Sequence, residues 1–545
     1  MESAGTGAPL WALTRGAVTA TAGDWTTDPA GALVWGLGVI AAVESPRWGG
    51  VVDLPERADT RAADRVLAAL TGGHREAELA VRPEGLLARR LVPAPLEPAP
   101  PGRTTGWTPT GTVLVTGGTG ALARHTATWL ARKGADHLLL VSRRGGDAPG
   151  ADALRDELTA LGAEVTFAAC DVSDREALAG VLAAVPAEHP LTAVVHTAAV
   201  LDDALLDALT PEQADRVLRV KALGARHLDE LTRELPLTAF VLFSSVIGIA
   251  GTPGQGNYAP GNAYLDALAH TRRAAGLPAT SVSWGQWAGD GIAGDEGAHR
   301  NARNGLLPME PELAVAVLEQ ALDRDETHLV VCRADWQILA AARSHPLLTE
   351  LTTGPADAGT DAPDAPEQGA LIAELTGAAS DQERRRLLLR FVTAQVGEVQ
   401  GGRPAGSVEI HRGFKEQGFD SLTTVELRNR INQRTGLNLP TTAVFDHPTP
   451  HALAELLHER LAPADREQED TVRELASQLD RLEALLAALP PDGPERAGAA
   501  ARLGALATNG RGESRPADDD GVAAGLSSAT DDELMDFIGK ELGIS

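Results

Sequence analysis

Three polar residues lie near the middle of the chain at spacings that suit acid–base chemistry. Ser245 follows the apolar run Ala239 to Ser244. Tyr258 comes thirteen positions later (258 − 245), and Asn262 four beyond that (262 − 258), one turn of helix. Reducing a ketone requires a proton donor at the developing alkoxide, a hydrogen-bond donor that orients the carbonyl, and a cation close to the acid. Tyrosine, with an ordinary pKa of about 10, is a poor acid at neutral pH unless a positive charge sits beside it. Taken singly, a strand-end serine or a helix-start tyrosine is ordinary.

A second group of residues suits a phosphate-bearing cofactor. The run Thr112 to Thr116 leads into Gly117-Gly118-Thr119-Gly120-Ala121-Leu122-Ala123, which opens a helix. Glycines there let the backbone approach a pyrophosphate, and the helix N-terminus offers N–H donors. Ordinary strand–helix turns also use glycine, so the context of strand before and amphipathic helix after carries the reading. The next strand ends Val141-Ser142-Arg143-Arg144. A carboxylate at that place suits the ribose hydroxyls of NADH, whereas two arginines suit the 2′-phosphate of NADPH. Asp171, between Cys170 and Val172 at the end of the third strand, is placed to meet the adenine ring.

These groups need a scaffold of alternating strands and helices. Apolar runs at 112–116, 137–141, 164–169, 192–196, 239–244, 279–284 and 328–332, separated by helical patterns, predict a Rossmann-like, doubly wound parallel sheet over 107–345. Residues 1–106 end in the Pro-rich PAPLEPAPPG, and 346–380 read as a flexible linker rich in Pro, Gly, Ala and Asp. Helical periodicity returns over 381–462, and 463–545 read as helices around a polar linker. The net charge of −27 argues against nucleic acid or anionic membrane as partners. The N-terminus has no secretory pattern, so a cytoplasmic location is expected. Cys170 and Cys332, the two cysteines, read as buried apolar residues, and no metal site is expected.

With these motifs in place, the chain resembles the short-chain dehydrogenase/reductase family, and within it the ketoreductase domains of modular polyketide synthases. Most of the wider family places lysine where Asn262 stands. The synthase branch takes its lysine from the preceding helix, and Lys221, 37 residues before Tyr258 (258 − 221), matches that placement. The resemblance implies Tyr258 as proton donor and Ser245 as carbonyl orienter. Lys221 is then the cation that lowers the tyrosine's pKa and contacts ribose, with Asn262 as relay. Leu201-Asp202-Asp203, with no tryptophan between Val246 and Asn257, resembles the branch that yields a 3R hydroxyl. Pro260 resembles the subgroup acting on an epimerised α-substituent. Residues 1–106 resemble the noncatalytic half of the enzyme with its start missing. About 50 residues between Pro55 and Gly106 are too few for an inserted enoylreductase.

Gly418-Phe419-Asp420-Ser421-Leu422, followed by Leu427-Arg428-Asn429-Arg430 and Val444 to Pro450, resembles an all-α four-helix acyl carrier domain. Ser421 then holds 4′-phosphopantetheine. Val472, Leu475, Leu479, Leu482, Leu486 and Leu489 alternate spacings of three and four, the seam of a coiled coil, which favours a homodimer. The last segment, with Leu534, Phe537, Ile538 and Leu542 on one face, resembles a docking helix for a downstream synthase polypeptide. The resemblance implies NADPH-dependent reduction of a carrier-bound β-ketoacyl thioester. Two rivals remain: a carrier segment whose reductase is redox-silent or only epimerises, and a free-standing dehydrogenase.

Overall fold

The computed structural model describes residues 8–461 apart from 72–75, 95–105, 290–296, 298–300, 343–345, 353–370 and a few single or paired positions. The expected coiled-coil seam and terminal helix lie outside the described residues. Among those described, no helix is long and apolar enough to cross a membrane.

The first part is a small sheet of β1 (Leu10–Arg15), β2 (Trp48–Leu54), β3 (Glu78–Arg82) and β4 (Gly85–Ala88), in that order. β1, β2 and β3 run parallel, and β4 turns back on β3. Helix α1 (Ala32–Glu44) connects β1 to β2, and α2 (Thr60–Thr71) covers β2 and β3. Buried Arg82 ties this sheet together, with Nη2 on Asp53 at 2.8 Å and Nε on Asp24 at 2.6 Å.

The second part holds β5 (Thr112–Thr116), β6 (His137–Ser142), β7 (Glu164–Ala169), β8 (Leu191–His196), β9 (Ala239–Ser245), β10 (Thr280–Trp284), β11 (Leu306–Leu307) and β12 (His328–Val331). Seven of them form one sheet in the order β12-β10-β9-β8-β5-β6-β7, every pair parallel. These are the seven strands expected from the sequence, with ends differing by a residue or so. The inner strands β5, β6, β8 and β9, buried on both faces, read as nearly unbroken apolar runs, which makes their limits plain. The order reverses between β5 and β8, so the crevice at the carboxyl ends of those strands is where an open sheet of this kind takes its ligand.

Helices α3 (Ala121–Arg132), α4 (Ala151–Ala160), α5 (Arg175–Ala183), α6 (Pro211–Leu218), α7 (Gly224–Thr232), α8 (Ile247–Ala250), α9 (Tyr258–Ala274) and α10 (Pro311–Asp323) surround it. The two parts share a core, because Ile40 of α1 packs with Val246, Ile247, Ile249 and Ala259. Contact is close enough that a β-carbon on Gly36 would come within 2.6 Å of Ala259 O and Pro260 Cα. Truncating a fully buried residue such as Ile40 to alanine costs about 2–5 kcal/mol.

The described residues at both ends of the linker expected at 346–380 are instead ordered, with 371, 374 and 375 helical and Leu371 and Leu375 buried. Pro346–Leu348 and Thr349–Thr352 are helical turns, with Leu347 and Leu348 only 3% and 2% exposed in the cluster around Ile40. Leu91 N also donates to Leu347 O at 2.9 Å. Two buried leucines dock this segment. Helix α11 (Trp336–Ala342) precedes it.

The carrier region comprises α12 (Asp381–Val399), α13 (Ser421–Thr435), α14 (Ala443–Asp446) and α15 (Pro450–Arg460). Ser380 caps α12 by accepting from Glu383 N at 3.2 Å. Leu388, Val392, Val396, Val425, Ile431, Leu453 and Leu457 are among its buried apolar residues.

Candidate active site

The cleft at the ends of β5 and β6 has a volume of about 650 Å³ and is lined by Gly117, Thr119, Arg143, Arg144, Asp171 and Val172, among others. Gly117 takes a left-handed φ of +68°, and a β-carbon there would come 3.0 Å from Ala198. Gly118 does something else: a β-carbon on it would press on Leu140 at 2.8 Å, and it does not line the cleft. Gly120 caps α3 in an extended conformation, leaving the helix N-terminus beside the turn. Arg143 and Arg144 are exposed, and neither is paired with a carboxylate among the described residues. Burial pushes Asp171's carboxyl up, but hydrogen bonds from Ser173 N (2.9 Å) and Oγ (2.7 Å), with Arg143 and Arg219 nearby, hold it below the ordinary range.

Beyond Val220, at one edge of the cleft, the four expected catalytic residues come together. Lys221 lies in a π-helical turn, Arg219–Leu223, between α6 and α7. It is 2% exposed, and its Nζ donates to Phe243 O at 2.7 Å and to Asn262 Oδ1 at 2.8 Å. The same Nζ is 5.1 Å from the centre of the Tyr258 ring. Asn262 in turn donates Nδ2 to Tyr258 O at 2.8 Å, binding the two ends of the first turn of α9. Gly261 permits this approach, since a β-carbon there would sit 3.0 Å from Lys221 Cβ. Ser245 ends β9, and its Oγ accepts from Ile247 N at 3.3 Å.

Burial pushes the Tyr258 hydroxyl up to about 12. Asn262 and Ser245, within hydrogen-bonding reach, pull it down, while the Asp203 carboxylate pushes it up. Burial pulls the Lys221 ammonium down to about 7, with Asp266 resisting. Burial thus outweighs whatever the Lys221 charge contributes at Tyr258. Desolvation dominates both groups, and a lysine near 7 carries only part of its charge at neutral pH. For reduction this arrangement still serves, because the phenol stays protonated and an alkoxide is a far stronger base than phenolate.

The expected stereocontrol residues hold loops. Asp202 pairs with Arg216 at 2.8 Å and accepts from Gln213 at 3.0 Å, while its carbonyl accepts from Asn257 Nδ2 at 2.7 Å. Asp203 accepts from Gln255 Nε2 at 3.1 Å, and Ala204 N donates to Gly254 O at 2.8 Å. The segment after Leu201 is thus bound to the segment that leads into Tyr258. Pro260, third residue of α9, costs the helix nothing, since N–H groups of the first turn have no intrahelical partner.

Two residues in this architecture gave no sequence signal. His196 is fully buried at the end of β8, with Nδ1 2.8 Å from Thr116 Oγ1 and Nε2 3.2 Å from Lys221 O. Burial, then the Lys221 charge, pulls its pKa to about 3, so the ring is neutral. A carbonyl only accepts, so Nε2 carries the hydrogen and Nδ1 takes the Thr116 hydroxyl proton. The ring joins the strand before Gly117 to the turn that bears Lys221. Glu44, 4% exposed at the end of α1, accepts from Leu206 N and Gly254 N, both at 2.7 Å. It therefore bridges the loop after Asp203 and the loop before Tyr258. Burial, opposed by those hydrogen bonds, raises its pKa. Neither a strand-end histidine nor a helix-end glutamate is distinctive without the chain fold.

In the carrier, Gly418 takes a φ of +91° and Ser421 opens α13. Phe414 and Phe419 pack with ring centres 5.4 Å apart beneath that turn.

The KR domain family matches residues 111–289, and the phosphopantetheine attachment site family matches 392–457. A solved structure described as A-type ketoreductases from a modular polyketide synthase is 50% identical, with a TM-score of 0.62, covering 64% of this chain and 74% of that one. The chain belongs to the modular polyketide synthases. A C2-type ketoreductase from a modular polyketide synthase is also similar, at 44% identity and a TM-score of 0.59, covering 64% of this chain and 76% of that one. Residues 2–91 match the Rossmann fold domain of the polyketide synthase extender module SpnB, and 468–528 match the erythronolide synthase docking family. Among curated relatives, the pikromycin synthase component PikAIII of Streptomyces venezuelae is 48% identical over 503 residues, which are 88% of this chain and 32% of that protein. The polyketide synthase GfsA of Streptomyces halstedii is 50% identical over 470 residues, 84% of this chain and 6% of that protein. The chain thus spans a third or less of these relatives.

The synthase carries an NADPH-dependent ketoreductase and a carrier domain that takes 4′-phosphopantetheine covalently. The cleft fits NADPH: a side chain at 117 would fill the turn, and two exposed guanidinium groups stand where a 2′-phosphate needs cations.

Proposed function

We propose that this segment reduces the β-keto group of an acyl thioester held on Ser421 to a 3R β-hydroxyl, and then passes the chain to a downstream polypeptide. The observation that carries the reading is the buried cluster in which Asn262 joins Lys221 Nζ to the Tyr258 backbone carbonyl, with the Asn262 and Ser245 side chains within hydrogen-bonding reach of the phenol. Gly117, Thr119, Arg143 and Arg144 would hold NADPH, which would supply the hydride when bound. Ser245 donates a hydrogen bond that orients the carbonyl oxygen. Tyr258 gives its phenolic proton to the developing alkoxide, and Asn262 and Lys221 hold the phenol in place. The alcohol forms with one hydride and one proton gained, and water returns the proton to the tyrosinate, with the Lys221 ammonium beside the ring stabilising the anion until then. Leu201, Asp202 and Asp203 shape the mouth so that one carbonyl face is presented, and Pro260 goes with an epimerised α-methyl where the substrate has one. The intact constellation argues against the redox-silent rival.

Tyr258→Phe tests this directly. It should lower NADPH turnover with a β-ketoacyl thioester by about 10²-fold or more while cofactor binding survives. Near-normal turnover would remove Tyr258 as the acid. Chiral analysis of the wild-type product should give the 3R alcohol, and a 3S product would overturn the stereochemical part alone.

A further inference from the structure

Helix α1 ends at Glu44 with no basic residue in its last turn. A helix C-terminus leaves carbonyls without intrahelical partners and carries partial negative charge. Here those carbonyls are met by the carrier. Arg428 Nη2 donates to Glu44 O at 2.9 Å, and Asn429 Nδ2 donates to Val43 O at 3.5 Å. A third contact joins Arg303 of the reductase to Glu426 of the carrier at 3.6 Å. All three carrier residues are on α13, the helix that Ser421 opens. Arg428 is seven residues past Ser421 (428 − 421), two turns along the same helix. Seating this helix on α1 therefore also fixes the root of the phosphopantetheine arm.

The place of contact is as informative as its partners. The residue whose carbonyl receives Arg428 is the one whose carboxylate binds Leu206 N and Gly254 N. Those nitrogens belong to the loop after Asp202 and Asp203 and to the loop before Tyr258. The carrier thus rests on the back of the element that holds the substrate mouth. The fit is also incomplete: Arg428 is 4% exposed, yet its Nε has no partner among the described residues. A buried guanidinium with an unmet donor weakens an interface, which suits one made and broken in each cycle.

We propose that the C-terminal end of α1 is the reductase's docking site for its own carrier, gripped by Arg428 and Asn429. The proposal rests on the reading that Ser421 carries the substrate and Tyr258 reduces it.

The test uses the full chain in its phosphopantetheinylated form, loaded on Ser421 with a β-ketoacyl group. A single turnover is followed by NADPH absorbance, beside steady-state reduction of a free β-ketoacyl thioester. Arg428→Glu should slow the carrier-borne turnover about tenfold, the usual scale for losing one charge-assisted hydrogen bond, and leave the free thioester rate unchanged. Arg303→Glu should slow it less, and adding Glu426→Arg should restore it. If Arg428→Glu fails to accept the arm, its carrier is misfolded and the charge exchange decides alone. Unchanged carrier-borne turnover in properly loaded Arg428→Glu, or in Arg303→Glu, would overturn the proposal. So would an equal fall with the free thioester, which would assign this surface to the reductase alone. Failure of the wild type to reduce the free thioester would instead refute the reading of Tyr258.

Discussion

Replacing Lys221 with methionine should abolish reduction and at the same time make the fold less dependent on pH. The ammonium falls from an ordinary 10.5 to about 7 because it is buried. At about 1.4 kcal/mol per pH unit, holding that charge inside the protein costs about 5 kcal/mol below pH 7. Methionine fills a similar volume without the charge, but it leaves Phe243 O and Asn262 Oδ1 without their donor, at about 1–3 kcal/mol each. Near pH 7 the variant should therefore be as stable as the wild type or a little more so. The pH trend is sharper. Above about 7 the folded lysine has lost its proton, whereas the unfolded one keeps it until about 10.5. The unfolded state then binds more protons, so wild-type stability rises relative to the variant by about 1.4 kcal/mol per pH unit across that window. Denaturant unfolding at pH 7, 8 and 9, read from the fluorescence of buried Trp284 and Trp287, measures this difference. A difference that stays flat over that range would refute the argument that burial, rather than a tight ion pair, governs Lys221.

Serine at both Arg143 and Arg144 should weaken NADPH binding far more than NADH binding, and equal losses in fluorescence titrations would show that these arginines do not clamp the 2′-phosphate. Glu44→Ala should raise the share of the minor stereoisomer in the reduced product, with Glu44→Gln closer to wild type because its amide oxygen still accepts one N–H. An unchanged ratio on chiral chromatography would reduce Glu44 to a packing residue. Leu479→Asp should shift the chain from dimer toward monomer in light scattering without loss of NADPH turnover. Deleting 528–545 should leave mass and turnover alone but cut acyl transfer to the downstream synthase, and intact transfer would end the docking reading of that helix.

What the sequence disclosed and what it hid follow from the range of the interactions. Strand limits, the glycine turn after Thr116 and the Ser245–Tyr258–Asn262 spacing are local patterns, and the structure returns them nearly unchanged. Lys221 needed a family resemblance, because 37 residues and a π-helical turn separate it from the tyrosine it lies beside. Glu44 and His196 act on residues 162 and 25 positions away, and nothing local marks them. The pKa values were the least legible. They depend on burial, which is the largest influence at both Tyr258 and Lys221 and has no local signature.

The meeting of Gly36 with the backbone at Ala259 and Pro260 bears on how such reductases are exchanged between biosynthetic assembly lines. A junction cut at residue 107 would bring the whole cofactor-binding sheet and every catalytic side chain. It would leave behind the glycine that makes room for the Tyr258 helix, and the glutamate that holds both neighbouring loops. A host with any larger residue at the position of Gly36 would push directly on the first turn of that helix. Recombination breakpoints for this enzyme therefore belong before β1, so that the sheet without chemistry travels with the sheet that performs it.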